Sequence, residues 1–235
     1  MTNETMFTTF APETFNDAKL LGVYESGSDE WKAARQQGIG GSEIGTICGL
    51  NPWESAFALW AKRTEQIPDP ELTGWSIRFG NAFEEPILGL WAQDNPEWDV
   101  YRTGTYIDVD GFLTANPDGL AQHRDTGEWI VVEVKTSRGS WREVPPHYAA
   151  QVQHYMDVLG VKRAVLIGVV GWDWHESWVE FSQFQADAQR AAAWRFWEHL
   201  QEQRRPDWDG SKATYEAMRY MHPDIDDESV WSFNH

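Results

Sequence analysis

Apolar side chains recur every three or four residues along several segments of the chain, the spacing that gathers them on one face of a helix. The longest such segment, residues 74–95, predicts one long helix, in which Pro86 should cause a kink or a new start because it lacks a backbone N–H. The same spacing, together with capping residues such as Ser28, Ser42 and Ser55, predicts further helices. They cover residues 28–37, 43–48, 55–64, 145–159 and 183–203, with one more short helix after residue 207.

Apolar runs and alternating patterns predict strands at residues 98–110, 112–115, 129–136, 161–171 and 174–181. Helices thus precede a group of strands, which is followed by a helix, two strands and a helix. This order predicts an α/β fold in which a central mixed sheet carries helices on both sides. We place that domain at residues 28–206, after an N-terminal arm at 1–27 and before an acidic C-terminal tail with a short helix at 207–235.

Length and composition restrict the class of protein. With 235 residues and 41% apolar side chains, the chain can bury a substantial core. No apolar run is long enough to span a membrane and the first residues lack the features of a signal peptide, so we expect a cytoplasmic protein without membrane partners. The single cysteine, Cys48, excludes an internal disulfide, a four-cysteine zinc site and a four-cysteine iron–sulfur cluster.

The formal net charge of −18 argues against a simple DNA-binding module, because an acidic surface repels phosphate. The charge is uneven, however. Residues 64–120 carry a net charge of −9, whereas residues 128–165 carry +1 and residues 31–63 carry +2. The acidity therefore avoids the segments in which we expect contact with nucleic acid, apart from acidic residues that a metal would neutralise.

A turn aspartate, Asp118, precedes an apolar strand that contains Glu133 and Lys135. Side chains alternate between the faces of a strand, so Glu133 and Lys135 should project together, and an antiparallel hairpin should bring Asp118 near them. Two carboxylates can hold a magnesium ion and a lysine can orient a water beside a phosphate, which predicts metal-dependent phosphodiester cleavage. Taken alone, Glu-x-Lys is most often a solvated strand face and Pro-Asp-Gly an ordinary turn. The apolar residues around Glu133 argue against a solvated face.

Four further residues are candidates for the same site. Glu84 lies in an apolar sector of the long helix, although a structural ion pair would also explain it. Gln151 lies at the edge of the apolar stripe of its helix, where a capping or core-edge role is the alternative. Arg35 and Ser42 flank a glycine-rich break between two helices, an arrangement suited to binding phosphate, although helix capping alone explains Ser42.

The chain contains fifteen tryptophans, and some of them could stack on nucleic-acid bases. Core packing is the expected use of most. Trp141, which lies between Arg138 and Arg142 shortly after Lys135, is the best candidate for stacking.

The order of these motifs resembles that of a known family. The motifs are Arg35 with Gly40-Gly41-Ser42, Gly80-x-x-x-Glu84, Pro117-Asp118-Gly119, Glu133-x-Lys135 and Gln151-x-x-x-Tyr155. Together they span roughly residues 30–170 and resemble the YqaJ-like viral recombinase family, which includes the phage lambda exonuclease and belongs to the PD-(D/E)xK nucleases. The resemblance implies a restriction-endonuclease-like core.

The resemblance also implies an activity. The family is expected to digest one strand of linear double-stranded DNA from the 5′ end, with Mg²⁺ as cofactor, Mn²⁺ as an alternative and two ions in the site. The product would pass to a single-strand annealing protein during phage recombination in the bacterial cytoplasm. A ring-shaped homotrimer is the assembly that the resemblance suggests.

By resemblance, the metal ligands would be Asp118, Glu133 and the backbone carbonyl of Val134. Glu84 would bind a second metal ion or its water. Because Glu85 follows Glu84 directly, either of the two glutamates could be the acidic residue of this motif.

By the same resemblance, Lys135 would position or activate the attacking water, and Gln151 would orient that water or the lysine. Arg35 and Ser42 would hold a DNA phosphate, such as a terminal 5′-phosphate. Further candidates for contact with DNA are Tyr155 and Arg138.

Two other functions fit the sequence. A non-catalytic protein that retains the fold could bind or inhibit a DNA-processing partner through its acidic surface, although the intact set of Asp118, Glu133 and Lys135 disfavours this. An endonuclease could use the same residues, because the choice between cutting ends and cutting internally depends on how the duplex is gripped.

Overall fold

The structure, a computed structural model, describes residues 7, 9–68, 74–139 and 141–223. Within these residues the helices are α1 (Asp29–Gln36), α2 (Gly41–Ile47), α3 (Ala56–Arg63), α4 (Trp75–Asp94), α5 (Pro146–Leu159), α6 (Gln183–Gln201) and α7 (Lys212–Met221). The strands are β1 (Thr14–Phe15), β2 (Ala18–Gly22), β3 (Ile39–Gly40), β4 (Trp98–Tyr101), β5 (Thr105–Ile107), β6 (Leu113–Ala115), β7 (Gly119–His123), β8 (Trp129–Ser137), β9 (Arg163–Val170) and β10 (Asp173–Glu180). All the predicted helices are present to within a few residues.

The described strands form two five-stranded sheets, with the orders β1-β2-β5-β6-β3 and β10-β9-β8-β7-β4. Both sheets are mixed, because β3 pairs parallel with β6 and β8 pairs parallel with β9, while their other pairs are antiparallel. The predicted α/β class is confirmed, with two mixed sheets in place of a single one.

Helices cover both faces of the sheet that contains β8. On one face, Val131 belongs to an apolar core that includes Val152 and Met156 of α5. On the other face, Val132 belongs to a second core with Ile87 of α4. Successive residues of β8 therefore face α5 and α4 in turn, and the predicted arrangement of helices on both sides is confirmed.

Helix α4 continues through Pro86, so no new helix begins there. Pro86 and Ala82, whose carbonyl would have accepted the missing N–H, are both exposed. Water can therefore satisfy that carbonyl, which reduces the cost of a proline in the helix interior.

The strand pattern around residues 98–123 differs from the prediction. The predicted strand 98–110 is two strands in different sheets, since β4 pairs with β7 whereas β5 pairs with β2 and β6. The chain changes sheet at Gly104, where a Cβ would lie 2.4 Å from the carbonyl oxygen of Gly22, so the close approach requires glycine. Strand β7 is not among the predicted strands, because it contains no β-branched residue.

Both ends of the described chain pack on the predicted domain. In the predicted arm, β2 pairs with β5, and in the predicted tail the short helix α7 packs on α3 through Ala217 and Phe57. The division into arm, domain and tail remains a prediction. Residues 1–6 of the arm and the acidic residues 224–235 lie outside the described part of the chain. Within that part, no helix combines the length and apolar character that crossing a membrane requires.

Candidate active site

Pairing of β7 with β8 brings the turn at Asp118 to the middle of β8. Gly119 lies opposite Val132 in this antiparallel ladder, so Asp118 arrives beside Glu133. The Oδ2 atom of Asp118 accepts the backbone N–H of Val134 at 2.7 Å, and the backbone N–H of Asp118 donates to Oε2 of Glu133 at 3.4 Å. The predicted convergence is present, but β7 brings it about, whereas the predicted strand at residues 112–115 is β6 in the other sheet.

A chain of hydrogen bonds connects β8 to α5. The Nζ atom of Lys135 donates to Oε1 of Glu133 at 2.7 Å, and Nε2 of Gln151 donates to the same oxygen at 2.8 Å. The amide of Gln151 also donates to the hydroxyl oxygen of Tyr155 at 2.9 Å. Glu133 is buried, with 1% of its surface exposed, so these donors replace its solvation. We call Asp118, Glu133, Lys135 and Gln151 the Lys135 cluster.

The two consecutive glutamates of α4 have different surroundings. Glu84 is half-buried, and its carboxyl feels the charges of Glu133 and Lys135. Glu85 instead accepts the backbone N–H of Phe7 at 3.4 Å through Oε1. Glu84 is therefore the acidic residue of this motif that faces the Lys135 cluster.

The charges of the site are unbalanced. Burial, followed by the negative charges of Glu133 and Glu84, raises the pKa of Asp118 well above its usual range. Burial and the charge of Glu133 also raise the pKa of Glu84. Burial works to lower the pKa of Lys135, but the charges of Glu133 and Asp118 outweigh it and raise that pKa above its usual value. Three carboxyl groups thus share one ammonium group, which leaves an excess of negative potential.

This excess suits a divalent cation. Within the described residues, no three His, Cys, Asp or Glu side chains are grouped closely enough to hold a metal on their own. Mg²⁺ commonly binds through one or two carboxylates and completes its shell with water and substrate phosphate. Asp118 and Glu133 fit that donor set, and a cation between them would relieve the repulsion that raises the pKa of Asp118.

Arg35 and Ser42 lie together at the edge of a cavity. An Nη2 atom of Arg35 is 3.4 Å from Oγ of Ser42 and 3.6 Å from Oε1 of Glu43. Both residues line a cavity of about 1030 Å³, together with Lys62 and Arg63. We call this cavity the Arg35 pocket. Lys62 and Arg63 are paired there with Glu54 and Glu43, so the half-buried Arg35 and the Ser42 hydroxyl are the groups that suit an anionic ligand.

The expected capping role of Ser42 is wrong. Helix α2 begins two residues earlier than predicted, with Gly40 as its N-cap, and the carboxylate of Glu43 accepts the N–H of Gly40 at 2.9 Å. Because Glu43 satisfies that N–H, the exposed Ser42 hydroxyl is available to a ligand. Glu43 forms an ion pair with Arg63 at 2.9 Å. Burial alone would raise the pKa of Glu43, but the charges of Arg63 and Arg35 outweigh it and lower that pKa.

Tyr155 joins the Arg35 pocket to the Lys135 cluster. Its ring packs on Gly41, where an added Cβ would lie 2.3 Å from the ring, so only glycine fits before Ser42. Its hydroxyl meets Gln151, and burial and the charge of Glu133 raise its pKa. Tyr155 is buried, which gives it a positioning contact rather than an open surface for DNA.

The remaining candidates lie after β8. Arg138 is exposed three residues beyond Lys135. Trp141 is half-buried against Gly168, where a Cβ would lie 2.3 Å from its ring, so core packing explains it better than base stacking.

The sequence indicates neither the contact of Tyr148 with the site nor the burial of His154. The Nζ atom of Lys135 lies 5.2 Å from the ring centroid of Tyr148, a cation–π contact beside the cluster. The signal that could have identified Tyr148 is its position in the first turn of the helix that carries Gln151. His154 is buried, not on the surface, and its Nε2 lies 3.0 Å from the carbonyl oxygen of Thr114. Burial lowers the pKa of His154.

The sequence profile described as "YqaJ-like viral recombinase domain" matches residues 30–162, more than half of the chain. This span contains the Lys135 cluster, Glu84, Arg35, Ser42 and Tyr155. The chain belongs to the YqaJ-like viral recombinase family. The resemblance noted in the sequence is confirmed.

Relatives within reach of sequence comparison include viral and bacterial proteins. The chain is 30% identical over 223 residues to "Uncharacterized protein YqaJ" of Bacillus subtilis (strain 168), covering 88% of this chain and 67% of that protein. It is 27% identical over 154 residues to "Protein D345L" of African swine fever virus (strain Badajoz 1971 Vero-adapted), covering 54% of this chain and 44% of that protein. The chain thus spans less than half of D345L.

Solved structures share the fold. The alkaline exonuclease LHK-Exo from Laribacter hongkongensis matches with a TM-score of 0.57 and 16% identity, covering 75% of this chain and 94% of that one. A phage-related exonuclease from Haemophilus somnus 129PT matches with a TM-score of 0.50 and 12% identity, covering 71% and 96%. These likenesses concern the fold, and they confirm the predicted restriction-endonuclease-like core.

Proposed function

We propose that this protein is a Mg²⁺-dependent exonuclease that digests one strand of linear double-stranded DNA in the 5′ to 3′ direction. The observation that carries the proposal is the convergence of Asp118 and Glu133 across β7 and β8, with the ammonium of Lys135 bonded to Glu133. Acidic ligands for a hard cation and a fixed cation beside them are what phosphodiester hydrolysis requires.

Asp118, Glu133 and the carbonyl of Val134 would hold one Mg²⁺, and Glu84 would serve a second ion or its water. When bound, the metal polarises the phosphate and lowers the pKa of coordinated water. Mn²⁺ has the same preference for oxygen ligands and is the expected substitute.

Lys135 would position or activate the attacking water. Against the effect of burial, the charges of Glu133 and Asp118 raise the pKa of Lys135 in the metal-free protein, so Nζ is a hydrogen-bond donor that can orient a water or a phosphate oxygen. Gln151 holds Oε1 of Glu133, and Tyr155 holds Gln151, so both are positioning residues. Arg138 is exposed next to the site and would contact the DNA backbone.

The Arg35 pocket supports the preference for ends. Arg35 and Ser42 would bind the terminal 5′-phosphate, and Tyr155 fixes the distance from that pocket to the Lys135 cluster. A terminal phosphate monoester carries about −1.5 to −2 charge, more than an internal phosphodiester, so a basic pocket favours an end.

The proposal extends to assembly and partners. A single-strand annealing protein would bind the single-stranded product. A homotrimeric ring around DNA would keep the enzyme on its substrate. We propose this role for recombination of phage DNA in the bacterial cytoplasm.

The test is incubation with end-labelled linear duplex DNA and with covalently closed circular duplex, in Mg²⁺ and in chelator. We expect the linear substrate to be degraded in Mg²⁺ only and the circle to survive. Cleavage of the circle would favour an endonuclease. An absence of cleavage with Mg²⁺ and Mn²⁺ would overturn the enzymatic proposal and favour a non-catalytic acidic protein that binds a DNA-processing partner.

A further inference from the structure

Trp53 is an exposed tryptophan held on an ordered turn. Its side chain is 71% exposed, yet its backbone N–H donates to Oδ1 of Asn51 at 3.0 Å. The amide of Asn51 in turn donates to Oγ1 of the buried Thr46 at 2.9 Å, which ties the turn to α2. Trp53 therefore presents its indole to solvent from a turn whose backbone is fixed.

The indole of Trp53 meets the imidazole of His147 edge to face, with ring centroids 5.2 Å apart and planes at 86°. His147 is itself fixed. A Cβ at Gly45 would lie 2.8 Å from that of His147, and the imidazole lies 4.1 Å from the ring of Tyr148. In the described part of the chain, Nε2 of His147 is buried without a hydrogen-bond partner. Packing of its ring against Gly45 and Tyr148 makes His147 a fixed support for the indole.

These contacts lead to the Lys135 cluster. The ring of Tyr148 lies 5.2 Å from Nζ of Lys135, so successive contacts of 5.2, 4.1 and 5.2 Å connect Trp53 to the ammonium group. The indole therefore lies within about 15 Å of Nζ, a distance of roughly four base steps along a duplex strand. The charge of Lys135 also reaches His147, since burial and then Lys135 lower the pKa of the imidazole.

The acidic residue next to Trp53 does not oppose a nucleic acid. Glu54 forms an ion pair with Lys62 and accepts a hydrogen bond from Thr46 at 3.2 Å. Its charge is therefore neutralised locally. Asp209 and Glu216 line the same cavity as Trp53, where Glu216 pairs with Lys212 at 3.2 Å and Asp209 accepts hydrogen bonds from Ser211 and Thr214.

We propose that Trp53, supported by the ring of His147, stacks on a nucleobase of the DNA strand that is bound at the Lys135 cluster. The inference rests on the proposed function, because it takes the strand at Lys135 to be DNA. Every base offers a π-face, so the subsite is independent of sequence.

The test uses 5′-phosphorylated duplexes with one abasic nucleotide at each of the five positions nearest the 5′ end. Affinity is measured by fluorescence anisotropy in chelator, for the wild type, Trp53→Ala and Trp53→Phe. For the wild type, we expect one abasic position to weaken binding by about 5- to 150-fold, the factor that matches the free energy of one stacking contact. Trp53→Ala should lose that much with intact DNA and show no further loss with the abasic duplex, whereas Trp53→Phe should retain most of the affinity.

Trp194→Ala is the matched control, because Trp194 is 50% exposed on α6 and packs on Phe112 away from the cluster. It should bind every duplex as the wild type does. Melting temperatures check the fold, and the exposed Trp53 should be replaceable without unfolding. A His147→Ala variant should reproduce the loss of abasic sensitivity.

The outcomes separate this inference from the nuclease proposal. If the wild type degrades linear DNA but Trp53→Ala keeps the wild-type sensitivity at every abasic position, the stacking subsite is wrong and the nuclease stands. If the wild type neither binds nor cleaves DNA, the proposed function fails and the subsite fails with it.

Discussion

The Oδ2 atom of Asp118 accepts the backbone N–H of Val134 at 2.7 Å. This bond crosses from the turn before β7 to β8, and it holds the Asp118 carboxyl beside Glu133 although the two groups repel each other when ionised. The fold therefore holds two negative charges close together at a cost in stability. Such an arrangement is typical of sites that bind a counter-ion or a substrate.

Replacing Asp118 by asparagine should stabilise the metal-free protein while it abolishes cleavage. The raised pKa of Asp118 means that the folded protein binds a proton there more tightly than the unfolded chain. Ionisation consequently destabilises the fold as pH rises above the unfolded pKa, a penalty that an amide avoids. We expect Asp118→Asn to raise the free energy of unfolding on the order of 1 kcal/mol near pH 7 and by less toward pH 4.

Chemical denaturation in chelator at both pH values measures this difference. A variant that is less stable than the wild type at both values would show that the Asp118 charge is not under strain. Added Mg²⁺ should stabilise the wild type and leave the variant unchanged.

Lys135→Ala should affect both activity and stability. The loss of the ammonium donor should lower the single-turnover cleavage rate by about 10²- to 10³-fold. Glu133 would remain buried without its charged partner, which costs about 3–5 kcal/mol. Adding Glu133→Gln should restore part of the stability and none of the activity, and a double variant as unstable as Lys135→Ala would contradict the ion-pair assignment.

Two glutamines of α5 provide a matched pair. Gln151 donates to Glu133 in the site, whereas Gln153 accepts the N–H of Ser182 at 3.0 Å and donates to the carbonyl of Glu180 at 2.6 Å. Gln151→Ala should lower the cleavage rate about tenfold or more and also cost about 1–3 kcal/mol in stability, because the buried Glu133 loses a hydrogen-bond donor. Gln153→Ala should cost about 1–3 kcal/mol in stability, with normal activity per folded molecule. Equal effects of the two substitutions on activity would remove Gln151 from the site.

Glu84 and Glu85 provide a second pair. Glu84→Gln should raise the Mg²⁺ concentration needed for half-maximal cleavage by about tenfold or more, because its carboxyl faces the cluster. Glu85→Gln should leave that concentration unchanged, since Glu85 bonds to the backbone of Phe7. A magnesium titration of both variants decides the register, and the reverse pattern would assign the second ion to Glu85.

Periodicity predicted α5 and β8, and therefore the central part of the site. Both elements are long and apolar, and the alternation along β8 placed Glu133 and Lys135 on one face without further information. The pairing of Asp118 with Glu133 needed only a hairpin, and a hairpin is what β7 and β8 form.

Contacts between distant segments account for what the sequence did not predict. Strand β2 is short and is stabilised by β5, about ninety residues later in the chain. His154 is polar, yet tertiary packing buries it beneath Thr114, which no helical periodicity indicates. At the N-terminus of α2, the carboxylate of Glu43 accepts the N–H of Gly40. Ser42, the predicted cap, is therefore not needed in that role.

The most direct test of the account is the location of Mn²⁺ by anomalous X-ray scattering from crystals of the protein grown with that ion. The account predicts a peak within coordination distance of carboxylate oxygens from both Asp118 and Glu133, close to the carbonyl of Val134. A peak that contacts neither carboxylate, or an empty site at saturating Mn²⁺, would contradict the proposal that these residues form a metal-dependent nuclease centre.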